Sequence, residues 1–231
     1  VNISLVRRNV PGVISKSVTR GSIPVKSVDV AFMANDTTGY MKVGTFGMNT
    51  YDEFMHALAL LKERGMKRLL LDLRENEGGV LPIAIRMVNE FLDSDELIVY
   101  TQGQAQPRQD YNSNGKGRYK SLPLTVMINE FSASASEILA GAIQDNDRGV
   151  LVGRRTFGKG LVQEQRSLPD GSAVRLTVAR YFTPSGRFIQ KPYTDKEKYQ
   201  YDLSYRAVHG EFAEKDSIVF DETLKYQTKG G

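Results

Sequence analysis

Three short stretches of this 231-residue chain hold side chains that could do chemistry. NEFSASASEILAGA (129–142) alternates three serines with alanines and then becomes an apolar run of helical spacing. Ser134 and Glu137 fit the S-x-x-E capping box, so a helix start alone accounts for the pattern. A serine at a helix mouth has a second use. The first N–H groups of a helix lack partners and carry the positive end of its dipole. They can hold the oxyanion of an acyl-transfer intermediate formed on the hydroxyl. GRRTFGKGLVQ (153–163) sets Lys159 between two glycines. That is either a solvated turn lysine or a general base for such a serine. LLLDLRENEGGVL (69–81) runs an apolar segment into Asp72, Arg74 and Asn76 and then a Gly78–Gly79 pair. The pair is either a tight turn or a bare backbone N–H facing a ligand.

Other chemistries are excluded or disfavoured by what the chain lacks. It has no cysteine, so a thiol nucleophile, a disulfide framework and a thiolate metal site are ruled out. Its two histidines, His56 and His209, lie far apart and in no metal-like cluster, which argues against a zinc hydrolase. The net charge of +4 is spread along the chain without a basic run, a weak case for nucleic acid. Gly153 to Lys159 matches a phosphate loop except at its end. Gly160 stands where a hydroxyl is required, and a strand rather than a helix should follow. No stretch is long and apolar enough to span a membrane, and VNISLVRRNV lacks a signal-peptide core.

The elements that must position these groups follow from periodicity. Residues 1–9 and the segments within 13–33 read as strands, broken at Pro11-Gly12, and 39–47 as another. TYDEFMHALALLKERG (50–65) has helical spacing, a Thr50–Glu53 capping box and a Gly65 stop. KRLLLDL (67–73) and LPLTVMIN (122–129) suit strands covered on both faces. Residues 83–93 and 136–145 read as helices, 96–103 and 149–153 as strands, and polar 104–120 as a loop. A hairpin spans 161–184 about the turn PDGS, and the charged, tyrosine-rich 191–231 holds one helix-like stretch, DKEKYQYDLSYRAVHG. Alternation of strands and helices through 67–153 implies crossover units and a mainly parallel sheet.

In this order the motifs LDLRENEGG, NEFSASASEILAGAIQDNDRG, TFGKGLVQ and SLPDGSAVRLTVARYFTPSGRFIQ resemble the C-terminal processing peptidases, serine endopeptidases with a serine–lysine dyad. The resemblance implies an α/β fold of the crotonase and Clp protease kind. Such a fold has repeated strand–strand–helix units, a mainly parallel sheet and antiparallel flanking strands. It implies Ser134 as nucleophile, Lys159 as general base and Gln163 as the residue that orients the lysine. Ala135 N–H and one glycine of the Gly78–Gly79 pair would form the oxyanion hole, with Glu137 and Thr156 as supports. Glu77 departs from the family, where proline is common. No cofactor or metal is implied. The partners would be polypeptides with exposed C-terminal tails and no nucleic acid, and a homo-oligomer is allowed. The setting would be periplasmic or otherwise extracytoplasmic. The resemblance also implies a domain plan: 1–24 as the end of a PDZ domain and linker, 25–190 as the protease core, and 191–231 as a truncated C-terminal extension. Two alternatives stay open, a non-catalytic core that binds unfolded tails and a crotonase-like acyl-CoA enzyme. A lysine that acts as a base near neutrality must shed its charge, and burial is the usual means. Lys159 is therefore expected in an apolar pocket near Phe157 and Leu161, facing Ser134. In a straight strand Lys159 and Gln163 would sit roughly 13 Å apart, so their contact needs a bend, for which Gly160 is the obvious place.

Overall fold

The computed structural model describes residues 1–21, 25–213 and 225–231. Parts of the expected strand run across 13–33 and of the C-terminal extension fall on 22–24 and 214–224, outside the described residues. Among the described residues sixteen elements follow in chain order. They are β1 (Asn2–Leu5), β2 (Ile14–Ser17), β3 (Val28–Met33), β4 (Thr38–Val43), α1 (Thr50–Glu63), β5 (Arg68–Asp72), α2 (Leu81–Asn89) and β6 (Ser94–Gln102). Then come β7 (Gln109–Asn114), β8 (Leu124–Ile128), α3 (Ala135–Asp145), β9 (Val150–Gly153), β10 (Leu161–Ser167), β11 (Ala173–Phe182), α4 (Lys196–Gln200) and α5 (Asp202–Val208).

Two sheets carry the molecule. The first has the order β3-β4-β5-β8-β9; β3 pairs antiparallel with β4, and the other neighbours are parallel. Each parallel step is made through a helix, as parallel connection requires. The second sheet, β10-β11-β6-β7, is antiparallel. This is the mixed α/β plan that the sequence implies. β1 and β2 form a separate antiparallel hairpin with exposed residues.

The core explains the apolar runs. Met41 and Val43 of β4, Leu69 and Leu71 of β5 and Val126 of β8 are buried against Phe54, Leu58 and Leu61 of α1, Met87 and Val88 of α2, and Leu139 and Ile143 of α3. α3 is buried along almost its whole length, packing on α2, β6 and β9. Its small residues permit this. A Cβ on Gly141 would come within 2.7 Å of Thr183 Cγ2, so a larger residue would push the segment after β11 off the helix.

Three expectations need correction. Polar 104–120 is not all loop, because β7 pairs with β6 inside it. The Thr50–Glu53 capping box does not form. The Glu53 carboxylate instead accepts from the Ser27 and Val28 N–H groups and anchors the entry to β3, while Thr50 Oγ1 accepts from Gly47 N–H. The helix-like stretch after Asp195 is two short helices, α4 and α5, that meet at Tyr201.

Candidate functional site

The carboxyl ends of β4, β5 and β8 open onto three loops, where open parallel sheets commonly hold ligands. The β5 loop carries Gly78 and Gly79, and the β8 loop carries Ser132 to Ser134 and feeds α3.

The alternating serines have a structural division of labour. Ser132 Oγ donates to Leu73 O at 2.8 Å, and Ser136 Oγ donates to Asn76 O at 2.8 Å. Both tie the serine loop to the β5 loop. Ser134 lies between them, half-buried, with φ 55° and ψ −113°. A non-glycine residue in that region is strained, and such strain persists only where the surroundings impose it. A sharp strand-to-helix turn of this kind presents a hydroxyl outward.

Asn76 is the linchpin of the facing loop, and sequence reasoning gave it no role. It is fully buried. Its Nδ2 donates to Val43 O at 2.8 Å, and its Oδ1 accepts from Gly78 N–H at 2.9 Å. Its carbonyl accepts from Ala133 N–H. The signal was a small amide two residues before a glycine, the pattern of an Asx turn.

Gly78 has φ 99°, and a Cβ there would lie 2.8 Å from Ser134 Cβ and 2.9 Å from Ala135 N. Gly78 therefore packs directly on the serine turn, while Gly79 packs against Phe46. Gly78 N–H is already engaged by Asn76. Gly79 differs. Phe46 N–H donates to Gly78 O and Val80 N–H donates to Phe46 O, which turns the Gly79 N–H away from Phe46. Among the described residues neither Gly79 N–H nor Ala135 N–H has an acceptor.

Glu137, buried at the first turn of α3, joins the serine to the lysine. Its Oε2 accepts from Ser134 N–H at 2.8 Å and from Lys159 N–H at 2.8 Å. Two 2.8 Å bonds to one oxygen leave those main-chain nitrogens within about 5.6 Å of each other. Oε1 accepts from the Thr156 hydroxyl and from Gly158 N–H, each at 2.7 Å. Burial pushes the Glu137 carboxyl above its ordinary value, and the four donors pull against that without cancelling it. Ser134, Glu137, Thr156, Gly158 and Lys159 are thus brought together from segments 19 to 25 residues apart.

Two expectations about the lysine are not met. Its side chain is exposed rather than sealed in an apolar pocket. The ring of Phe157 is covered instead by Lys191, whose Nζ sits 4.2 Å from the ring centroid. Gln163 is exposed on β10, and among the described residues no hydrogen bond joins it to Lys159. Within β10 the register against β11 shifts between Val162 and Gln163. Buried Gln190, which sequence reasoning passed over, accepts from Gly160 N–H at 3.0 Å and fixes the residue next to Lys159.

Comparison with known proteins places the chain in a family. Residues 37–197 match peptidase family S41. The carboxyl-terminal-processing protease of Synechocystis is 43% identical over 155 residues, covering 67% of this chain and 36% of that protein. The carboxy-terminal processing protease CtpA of Bacillus subtilis is 36% identical over 191 residues, covering 83% of this chain and 40% of that protein. Among solved structures, a photosystem II D1 C-terminal processing protease superposes with a TM-score of 0.66 at 34% identity, covering 77% of this chain and 49% of that one. The chain spans well under half the length of these curated relatives.

Proposed function

Because the chain belongs to peptidase family S41, we propose that it is the core of a serine endopeptidase that cleaves polypeptides near their C-termini through Ser134 and Lys159. The carrying observation is the single Glu137 oxygen that holds the main-chain N–H groups of both residues.

Ser134 Oγ attacks the peptide carbonyl carbon and passes its proton to Lys159 Nζ. The carbonyl oxygen becomes an oxyanion, held by Ala135 N–H and Gly79 N–H, the two donors without acceptors. The C–N bond breaks as Lys159 returns the proton to the leaving amine, which leaves an acyl-enzyme. Water then attacks the ester as Lys159 accepts a proton from it, the acyl C–O bond breaks as Lys159 returns that proton to Ser134 Oγ, and the acid product departs. The sequence needs no cofactor. Lys159 is exposed in the free chain. A polypeptide lying across Ser134 covers the amine and strips its water. Gln163, exposed on β10, would orient Lys159 once that substrate is bound. The substrates are chains with accessible tails, and the setting is periplasmic or otherwise extracytoplasmic. A PDZ domain before the core would recognise those tails.

The test is cleavage of an unstructured peptide series followed by mass spectrometry. Wild type should cut close to the C-terminus and should trap an acyl adduct on Ser134, while Ser134→Ala and Lys159→Ala should lose turnover by at least about a thousandfold. Cleavage that survives either substitution removes the dyad from the reading.

A further inference from the structure

Lys159 makes no side-chain hydrogen bond or ion pair among the described residues, so the place from which its side chain reaches out is set by its backbone. That backbone belongs to a loop, 154–160, without regular structure. The inner side of the loop is held by Glu137, as described, and by Phe157 N–H donating to Ser132 O at 3.0 Å. Its outer side is gripped by the segment that contains α4 and α5.

Arg206 of α5 is the centre of that grip. Only 2% of it is exposed, unusual burial for an arginine. Its Nη2 donates to Arg155 O at 2.7 Å. Its Nε donates to Glu211 Oε1 at 2.9 Å, and the Arg155 guanidinium reaches the other oxygen of Glu211 at 2.8 Å. Asp202 approaches Arg206 Nη1 at 3.8 Å, and the Phe212 ring lies against the guanidinium. A second contact is made by Lys191. Its main-chain N–H donates to Gly158 O at 2.9 Å, and its Nζ rests on Phe157 and is paired with Asp202 at 3.3 Å. A Cβ on Gly158 would be 2.8 Å from Lys191 Cβ, so the two strips of chain lie in direct contact. Each main-chain group that Arg206 and Lys191 take is one to four residues from Lys159.

We propose that Arg206 is a positioning residue for Lys159. It pins the Arg155–Thr156 peptide from outside, so that Thr156, Gly158 and Lys159 can all meet the one buried carboxylate of Glu137. The inference rests on Lys159 being the base. A buried guanidinium suits the task, because its planar fork holds a carbonyl and a carboxylate in one fixed geometry, whereas an ammonium carries its three donors on a flexible stem. The C-terminal helices thereby become part of the catalytic apparatus without touching substrate.

The experiment uses the full chain with Arg206→Ala and Arg206→Lys, and Lys159→Ala as control. Peptide cleavage and hydrogen exchange at individual amides are read together. In Arg206→Ala, kcat should fall about tenfold with KM within about twofold, the signature of misaligned chemistry rather than lost binding. The Gly158 and Lys159 amides should exchange about tenfold faster while amides inside α3 keep their protection. Dilute guanidinium, and not sodium at equal ionic strength, should restore both. Arg206→Lys, which keeps the charge and most of the packing, should show an intermediate loss and serves if the alanine variant does not fold. Wild-type kcat and wild-type exchange in a folded Arg206 variant overturn the proposal. So does a loss that guanidinium fails to restore and that is matched by faster exchange throughout α3, since that is general unfolding. Cleavage by wild type that does not depend on Lys159 sinks the dyad reading and the positioning role with it. Lys159-dependent cleavage that ignores Arg206 sinks only the latter.

Discussion

Replacing Glu137 by glutamine keeps its shape and removes half of its accepting capacity. The carboxylate now serves four donors, two on each oxygen. An amide has one accepting oxygen and one NH2. Its best orientation turns the oxygen to Ser134 and Lys159 and the NH2 to Thr156, whose hydroxyl can rotate to accept. Gly158 N–H is then left facing a donor in a buried place. An orphaned buried N–H costs about 1–3 kcal/mol, and three bonds that lose charge assistance cost roughly 1 kcal/mol each. The loss is offset by on the order of 2 kcal/mol, because an ion no longer has to be buried, in keeping with the upward push that burial gives the carboxyl. The net destabilisation is about 2–4 kcal/mol, within the roughly 5–15 kcal/mol that a folded chain has in hand. The variant should therefore fold and melt about 5–15 °C lower. With the two loops decoupled, turnover should fall by about a hundredfold. Calorimetry, peptide cleavage and amide exchange at Gly158 measure the three consequences. A variant that melts within about a degree of wild type and keeps Gly158 protected would show that Glu137 does not bridge the loops.

Three further outcomes follow from the same contacts. Gly78→Ala should lose stability by about 2–5 kcal/mol, since the added carbon meets Ala133 O at 2.6 Å at a φ of 99°; unchanged denaturant unfolding would contradict the close packing of the two loops. Ser134→Gly should be about 1 kcal/mol more stable than Ser134→Ala, because only glycine relieves the φ of 55°; equal unfolding midpoints would remove the strain from the account. Asp72 supplies a pH test. Burial works against its carboxylate, but hydrogen bonds from Arg74 and Tyr40 outweigh it and hold the carboxyl below its ordinary value. A depressed folded value gives stability that is present above the unfolded value and lost as pH falls through the folded one. The difference in melting temperature between wild type and Arg74→Met should therefore be open at pH 7 and shrink progressively as pH falls below the ordinary carboxylate range, and a gap that ignores pH would refute the ion pair's part.

Much of the frame was legible in the chain because burial writes a period into sequence. KRLLLDL and LPLTVMIN contain unbroken apolar runs, LLL and VMI, since both faces of β5 and β8 are covered. TYDEFMHALALLKE has one apolar stripe because α1 buries one face. β7 escaped notice for the converse reason. QDYNSN sits at the edge of the second sheet with alternate residues in solvent, and only its hydrogen bonds to β6 make it a strand. Thr50 and Glu53 had capping spacing, yet the carboxylate found better donors on a distant segment.

The sequence by itself determined the inventory: a serine at a helix mouth, a lysine between glycines, a glycine pair after a buried strand, and no thiol to compete with them. These are local properties, set by backbone preference and by the order of residues. Only the tertiary structure decided how the groups are used. It made Ser132 and Ser136 braces for Ser134, engaged Gly78 N–H and left Gly79 N–H without an acceptor. It exposed Lys159 where burial was expected, and gave Arg206 the outer side of the lysine loop. A hydrogen-bond donor takes whichever acceptor the fold brings within about 3 Å, and that choice depends on residues up to 60 positions away, as for Ser136 and Asn76.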